Sequence, residues 1–251
     1  MNTPKPWLPY VVPFGVYMVF LSLQSQWPAM LTWIYPAKTL AVAAALWVFR
    51  DKYDELRTPQ CCSGAEDSAL HRSATTTVLL AVVVGLVAII IWIGIDPYYP
   101  GVGEAMTRFE AWANRLFGYR EPQWTPPVPF DPHTLGAATR MWSFIVVRTV
   151  GAVLVVPLME ELFWRAFLIR WLVKEDFKSV PVGTFTWASF AITVAFFGAE
   201  HNEWLAGLIC GALYNWLYYR TKSVGACVIA HAVSNAALAA WVLARGDWKF
   251  W

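Results

Sequence analysis

Long apolar runs broken by short polar links set the pattern of the chain. Seven runs stand out: about Trp7 to Leu23, Ala29 to Phe49, Thr75 to Ile95, Ala137 to Val173, Phe185 to His201, Trp204 to Tyr219 and Val224 to Ala244. About 20 apolar residues of helix cross a bilayer's hydrocarbon core. The third run, TTTVLLAVVVGLVAIIIWIGI, meets that length without a charge. The second carries Pro36 and Lys38, which predicts a kink. Between the third and fourth runs lies a connector from Asp96 to about Gly136. Its stretch TRFEAWANRLFGYR predicts a short interfacial helix, and PQWTPPVPFDP reads as extended chain. The expectation is all-α: one polytopic transmembrane bundle over residues 1–251, of about seven to eight helices, enclosing a polar intramembrane cavity.

Composition sharpens this picture. The chain is 58% hydrophobic and 14% charged, respectively above and below an ordinary soluble domain. Its 16 tryptophans point the same way, because Trp collects at membrane interfaces. A net charge of +2 is too small to argue for nucleic acid. No small-residue cleavage site closes the first run before Gln24 and Gln26, so it reads as a retained helix. The balance of Lys and Arg between alternate links, with Lys5, Arg50, Lys52, Arg170, Lys178 and Lys222 on one side, predicts a cytoplasmic N-terminus. Cys61, Cys62, Cys210 and Cys227 show no metal spacing and no disulfide framework.

The chemistry sits where charge is least expected. Most of the 17 acids fall in links or at run ends; the exceptions are Glu160, Glu161, Glu200 and Glu203. An ionisable group at the bilayer centre costs about 3 kcal/mol even on a lenient scale, so Glu160, Glu161 and Arg165 need partners or a purpose. Four residues apart on a helix, Glu161 and Arg165 share a face and can pair, which leaves Glu160 facing elsewhere. Phe197 and His201 have the same spacing, as do His231 and Asn235. Three helices can thus offer a carboxylate, a histidine, and a histidine with an amide to one cavity, which suffices for acid–base chemistry on water. For Glu200 and Glu203, at a run end, surface solvation is expected; Trp164 is expected to pack. His201 ends its run while Glu160 lies mid-run. For the two to meet, the fifth helix must end inside the membrane, or the chain after it must dip back under cover of protein.

Glu160-Glu161-Leu-Phe-Trp-Arg165, Phe197-Gly-Ala-Glu-His201 and His231-Ala-Val-Ser-Asn235 resemble, in order, the EExxxR, FxxxH and HxxxN motifs of the CPBP family of CAAX proteases and bacteriocin-processing enzymes. The likeness covers about Val155 to Asn235 and is closest to compact bacterial members. It implies a glutamic-type intramembrane endopeptidase with no metal and no cofactor. Its substrate would be a protein or peptide, membrane-anchored chains included, and its setting a bacterial inner membrane. By the resemblance Glu160 activates water, His201 holds that water, His231 and Asn235 stabilise the oxyanion, and Glu161 with Arg165 positions Glu160. Trp164 and Ala166 stand where many relatives carry Phe and Gly. The identity of the substrate does not carry over.

Rival readings remain open at this level. A zinc-dependent membrane protease could use His and Glu, although GAEHNEW has the wrong order for HExxH. Cys227, His231 and Asn235 recur on one helix face as a Cys–His–Asn set. A non-catalytic chaperone or scaffold could use the cavity to grip a partner. A proton-coupled transporter is conceivable, but no inverted repeat stands out.

Overall fold

The structure, a computed structural model, describes residues 5–57, 74–118 and 129–251. Cys61, Cys62 and most of the expected extended chain lie outside the described residues. Those described form helices and no strand. We number eight: α1 (Leu8–Gln26), α2 (Leu31–Phe49), α3 (Ala74–Ile95), α4 (Val102–Phe117), α5 (Ala138–Val173), α6 (Trp187–Ala199), α7 (Trp204–Thr221) and α8 (Val224–Arg245). Seven correspond to the seven apolar runs, and α4 is a helix where a short one is expected, starting five residues before Thr107. Its Met106, Phe109, Trp112 and Leu116 are exposed along one face, as suits a helix lying in a membrane interface. Five helical segments are long and apolar enough to cross a membrane: Leu8–Gln26, Pro28–Lys52, Ala74–Phe117, Ala138–Val173 and Val224–Arg245.

Glycines set the closest crossings. In lipid, helices pair through backbone approach at small residues rather than through apolar burial. A Cβ on Gly85 of α3 would run into the Ala230 carbonyl and Val233 of α8. A Cβ on Gly207 of α7 would lie 3.0 Å from the Gly198 Cα of α6, and one on Gly211 would lie 3.2 Å from Phe197. The α6–α7 hairpin is therefore held face to face along Gly198, Gly207 and Gly211.

One end of the bundle is fastened by a polar clasp. Glu55, just beyond α2, takes an ion pair from Arg170 of α5 at 2.5 Å and one from Lys178 at 3.2 Å. Tyr10 of α1 donates to Glu55 Oε2 at 2.8 Å, and Tyr53 donates to the Pro9 carbonyl at 2.9 Å. Arg170 also donates to the Val180 carbonyl at 2.8 Å. Burial pushes the Glu55 carboxyl up, but Lys178 and Arg170 outweigh it and hold Glu55 below the usual carboxylate range. The clasp ties α1, α2 and α5 to the link before α6.

Candidate active site

The Glu160–Glu161 pair sits between two distortions of α5. Gly151–Val155 and Leu162–Leu168 are π-helical, with one extra residue per turn. The first has an identifiable cause. Proline has no N–H, so Pro157 cannot continue the hydrogen-bond ladder. Val156 N–H bonds back five residues to the Gly151 carbonyl. The next bond in that register would run from Pro157 to Ala152, and it cannot form. Asn235 of α8 supplies the replacement: its Nδ2 donates to the Ala152 carbonyl at 2.8 Å. Across the helix, Gly151 admits Thr39 and Tyr35 of α2, where a Cβ would lie 2.8 Å from Thr39 Oγ1.

Glu161 is committed through one oxygen, and its buried Oε2 has no hydrogen-bond partner. Its Oε1 accepts from Arg165 Nη1 at 3.0 Å and faces His231 Nδ1 at 2.9 Å. Arg165 is 1% exposed and gives two further donors to Asn215 Oδ1 at 3.2 Å and the Gly211 carbonyl at 3.3 Å. Asn215 in turn donates to Thr193 Oγ1 at 2.8 Å, and Thr193 to the Ser189 carbonyl at 2.6 Å. The guanidinium lies over the Phe197 ring at 4.7 Å, and His231 stacks on Tyr214 at 5.3 Å. A buried charge needs a partner and further hydrogen bonds to be tolerated. Here four helices, α5 to α8, meet that need around one carboxylate.

Glu160 is the contrast. It is 4% exposed, its Oε2 is as unpartnered as that of Glu161, and among the described residues neither of its oxygens accepts a hydrogen bond. His201, just past the end of α6, is oriented by Nδ1, which lies 2.7 Å from the Phe197 carbonyl and so must be its N–H donor. In a neutral ring that leaves Nε2 as an acceptor. Trp92 of α3 closes on the ring edge-to-face at 5.2 Å. With 13 residues, α6 is about 20 Å long, short of the roughly 30 Å hydrocarbon core, which is the early stop expected. The irregular turn that follows is covered by the α3–α4 link. Val102 N–H donates to the Asn202 carbonyl at 2.9 Å, and Trp204 Nε1 to the Pro100 carbonyl at 3.1 Å.

Of the sequence-predicted residues, Glu161, Arg165 and His231 form one directly bonded cluster on α5 and α8, with Glu160 adjoining it. His201 approaches through Phe197, whose ring lies 6.1 Å from His231. Asn235 is held against α5 rather than bonded to the cluster. Cys227 directs its thiol at the Tyr214 and Ser223 carbonyls, not at His231. Trp164 packs as expected, against Phe14, Phe163 and Phe197. Glu200 departs from expectation: its Oε1 is buried and without a hydrogen bond, rather than solvated. Asn215, Thr193, Tyr214 and Ser234 join the site unforeseen; their one sequence signal is polar groups within apolar runs.

Comparison with known families finds one likeness over the part of the chain that holds this cluster. Residues 142–237 match the Rce1-like family, described as type II CAAX prenyl endopeptidase Rce1-like. Over that span the chain is similar to that family. The span is less than half of the chain, yet it holds Glu160, Glu161, Arg165, His201, His231 and Asn235. No curated protein and no solved structure matches the chain. At the level of the family, the Rce1-like match supports a CAAX-type intramembrane protease, a hydrolase of peptide bonds, in an integral membrane protein.

Proposed function

We propose that this chain is a glutamic-type intramembrane endopeptidase in which Glu160 activates the attacking water. One observation carries the reading. Each of the two adjacent buried carboxyls leaves its Oε2 without a partner, but Glu161 is tied through Oε1 to Arg165 and His231, while among the described residues Glu160 accepts no hydrogen bond at either oxygen. An unpartnered buried polar atom is costly, and a reacting water is the group that would use it. Water held by two acceptors, Glu160 and His201 Nε2, donates both hydrogens and turns a lone pair toward the substrate carbonyl. Glu160 takes the water's proton as its oxygen bonds to the carbonyl carbon. The oxyanion is met by His231, whose Nδ1 already faces the Glu161 carboxylate. An imidazolium there can offer Nε2–H. Asn235 has a second amide N–H beyond the one given to Ala152, and it points the same role at that oxygen.

The reading requires no metal. Among the described residues, no group of three or more His, Cys, Asp or Glu side chains is arranged to hold one. The same reading puts the clasp end, with Lys52, Arg170 and Lys178, on the cytoplasmic side, in keeping with the excess of basic residues on cytoplasmic loops.

The test compares the termini of membrane and secreted proteins in cells carrying wild type or Glu160→Gln. The expected result is a discrete set of unprocessed termini in the variant, with wild-type processing unaffected by a strong chelator. Processing that persists in Glu160→Gln would overturn the protease reading and leave a binding or scaffold role.

A further inference from the structure

Three of the arginines on α5 fare differently. Arg165 and Arg170 place their N–H groups on side-chain and carbonyl oxygens. Among the described residues, no acceptor meets a guanidinium N–H of Arg148, and no carboxylate pairs with it. The Arg148 guanidinium lies instead over two rings, 5.1 Å from the centre of Tyr35 and 5.5 Å from that of Trp251. Lys38 of α2, 3% exposed, also lies over Tyr35, at 4.4 Å, and over Tyr17 of α1, at 4.6 Å. Its one hydrogen bond goes to a neutral group, Gln24 Oε1, at 2.9 Å. Rings and cations thus alternate in one ladder: Tyr17, Lys38, Tyr35, Arg148, Trp251. The two charges lie within about 10 Å of each other, because they share the Tyr35 ring. Charges in apolar surroundings need an opposite charge close by. Among the described residues this ladder has two cations and no acid bonded to either. The Trp251 indole nitrogen, a further donor, is buried without a partner.

The ladder starts at the depth of the candidate base and leads away from the clasp. Tyr10 stacks on Phe167 at 6.2 Å and Phe14 on Phe163 at 3.9 Å, so α1 and α5 run antiparallel in a fixed register. In that register Tyr17 comes level with Glu160. At the other rungs, Tyr35 donates its hydroxyl to the Arg148 carbonyl at 3.2 Å. Ala152, four residues after Arg148, is the residue whose carbonyl Asn235 holds. Arg148 is therefore set about one turn of α5 beyond the contact of the third motif. Glu160 is twelve positions further along the same helix, at most about 18 Å, which an extended peptide covers in about five residues. Lys38 and Tyr35 are buried and close the back of the ladder to lipid, while Arg148 and Tyr17, half-buried, are its open rungs.

We propose that the ladder is a substrate subsite, in which Arg148, with the Lys38 charge behind it, takes a carboxylate that the peptide carries within about five residues of the scissile bond. A guanidinium fork matches the two oxygens of a carboxylate. The Trp251 indole N–H offers one more donor beside it. The carboxylate has two sources, an acidic side chain or the chain terminus, and both present the same group to the fork. The subsite makes an anionic segment, which the bilayer itself disfavours, the preferred one.

The subsite rests on the protease reading, and its test separates the two by measuring retention rather than turnover. Purified full-chain Glu160→Gln protein in neutral detergent is offered three pools of apolar hexapeptides: one with free carboxyl termini, one amidated, and one amidated with a single glutamate. Retained peptides are counted by mass spectrometry. At least one acidic pool is expected to be retained about 10–100-fold over the neutral pool, the range for hydrogen bonds to a charged group. Which of the two it is names the source of the carboxylate. Adding Arg148→Gln is expected to bring the acidic pools down to the level of the neutral one, and Arg148→Lys to recover part of the preference. Equal retention of the three pools, or an equal fall of all three in Arg148→Gln, overturns the subsite. So does Arg148-dependent retention of phosphatidylglycerol with no preference among the pools, which gives the cations to a lipid. Cleavage surviving in Glu160→Gln overturns the base instead and leaves the retention result standing.

Discussion

The side-chain amide of Asn235 does for the Ala152 carbonyl what the backbone of Pro157 cannot. The two groups are 2.8 Å apart and belong to different helices, α8 and α5. The third motif of the site therefore also repairs the distortion on which the first is mounted.

That double use can be separated. Asn235→Ala leaves a buried carbonyl unpaired, at a cost of about 1–3 kcal/mol. Adding Pro157→Ala restores the backbone N–H that this register would bring to the Ala152 carbonyl, and thermal unfolding in detergent should show the double variant recovering most of that loss. Proteolytic activity should stay low in both, because no amide then faces the oxyanion. Recovery of activity along with stability would reduce Asn235 to a structural part.

The Glu161–Arg165 pair is expected to be strongly non-additive. Removing one partner strands the other's buried charge, at about 3–5 kcal/mol. Arg165→Met alone should therefore lower the melting temperature well below that of the double variant Glu161→Gln with Arg165→Met. A double-mutant cycle showing independent, additive losses would mean that the pair is not coupled.

Gly207 should be sensitive for its neighbour's sake. An added Cβ would lie 3.0 Å from the Gly198 Cα and 3.4 Å from the His201 Cβ. Gly207→Ala should move His201 by a few tenths of an ångström, and misplacements approaching 1 Å cost about 10²-fold in rate. Processing should fall by roughly tenfold while the protein stays folded. Gly225→Ala is the control, since its Cβ would meet only Ser223 Oγ at 3.7 Å.

The clasp predicts an acid limit. Because Lys178 and Arg170 hold Glu55 below the usual carboxylate range, its folded form binds a proton less readily than its unfolded form. Its contribution is thus fully present above the ordinary carboxylate pKa and is lost as pH falls through the lower, folded value. Melting temperature against pH should drop below about pH 4.5 in wild type, from that ordinary range. Glu55→Gln should start lower and drop less. Equal acid sensitivity in both would remove Glu55 as the cause.

The sequence made the helices plain because apolar runs of spanning length have few other uses. Glu161 with Arg165 was legible from a spacing of four, and the structure joins them at 3.0 Å. The π-helical turns were not legible, because a carbonyl orphaned by Pro157 is satisfied by a residue 83 positions away from that carbonyl. Asn215 and Thr193 gave only the weak signal of lone polar groups in oily helices. Glu200 was misread for a related reason. A residue at the end of an apolar run is ordinarily solvated, but this run ends under the α3–α4 link. The clasp escaped notice because Glu55, Arg170 and Tyr10 come from three separate stretches, each unremarkable alone.

The bond from Val102 to the Asn202 carbonyl bears on what counts as the working unit. The turn that presents His201 is braced by a segment lying outside residues 142–237, and α8, which presents His231, leans along α3, also outside them. The span that carries every motif residue therefore leans on residues outside it at both of these points. Excised, it would keep its chemistry on paper and lose the scaffold that aligns it. The motifs and the scaffold that aligns them are thus spread over the whole chain: the first half, which holds no motif, braces the turn and the helix that present two of them.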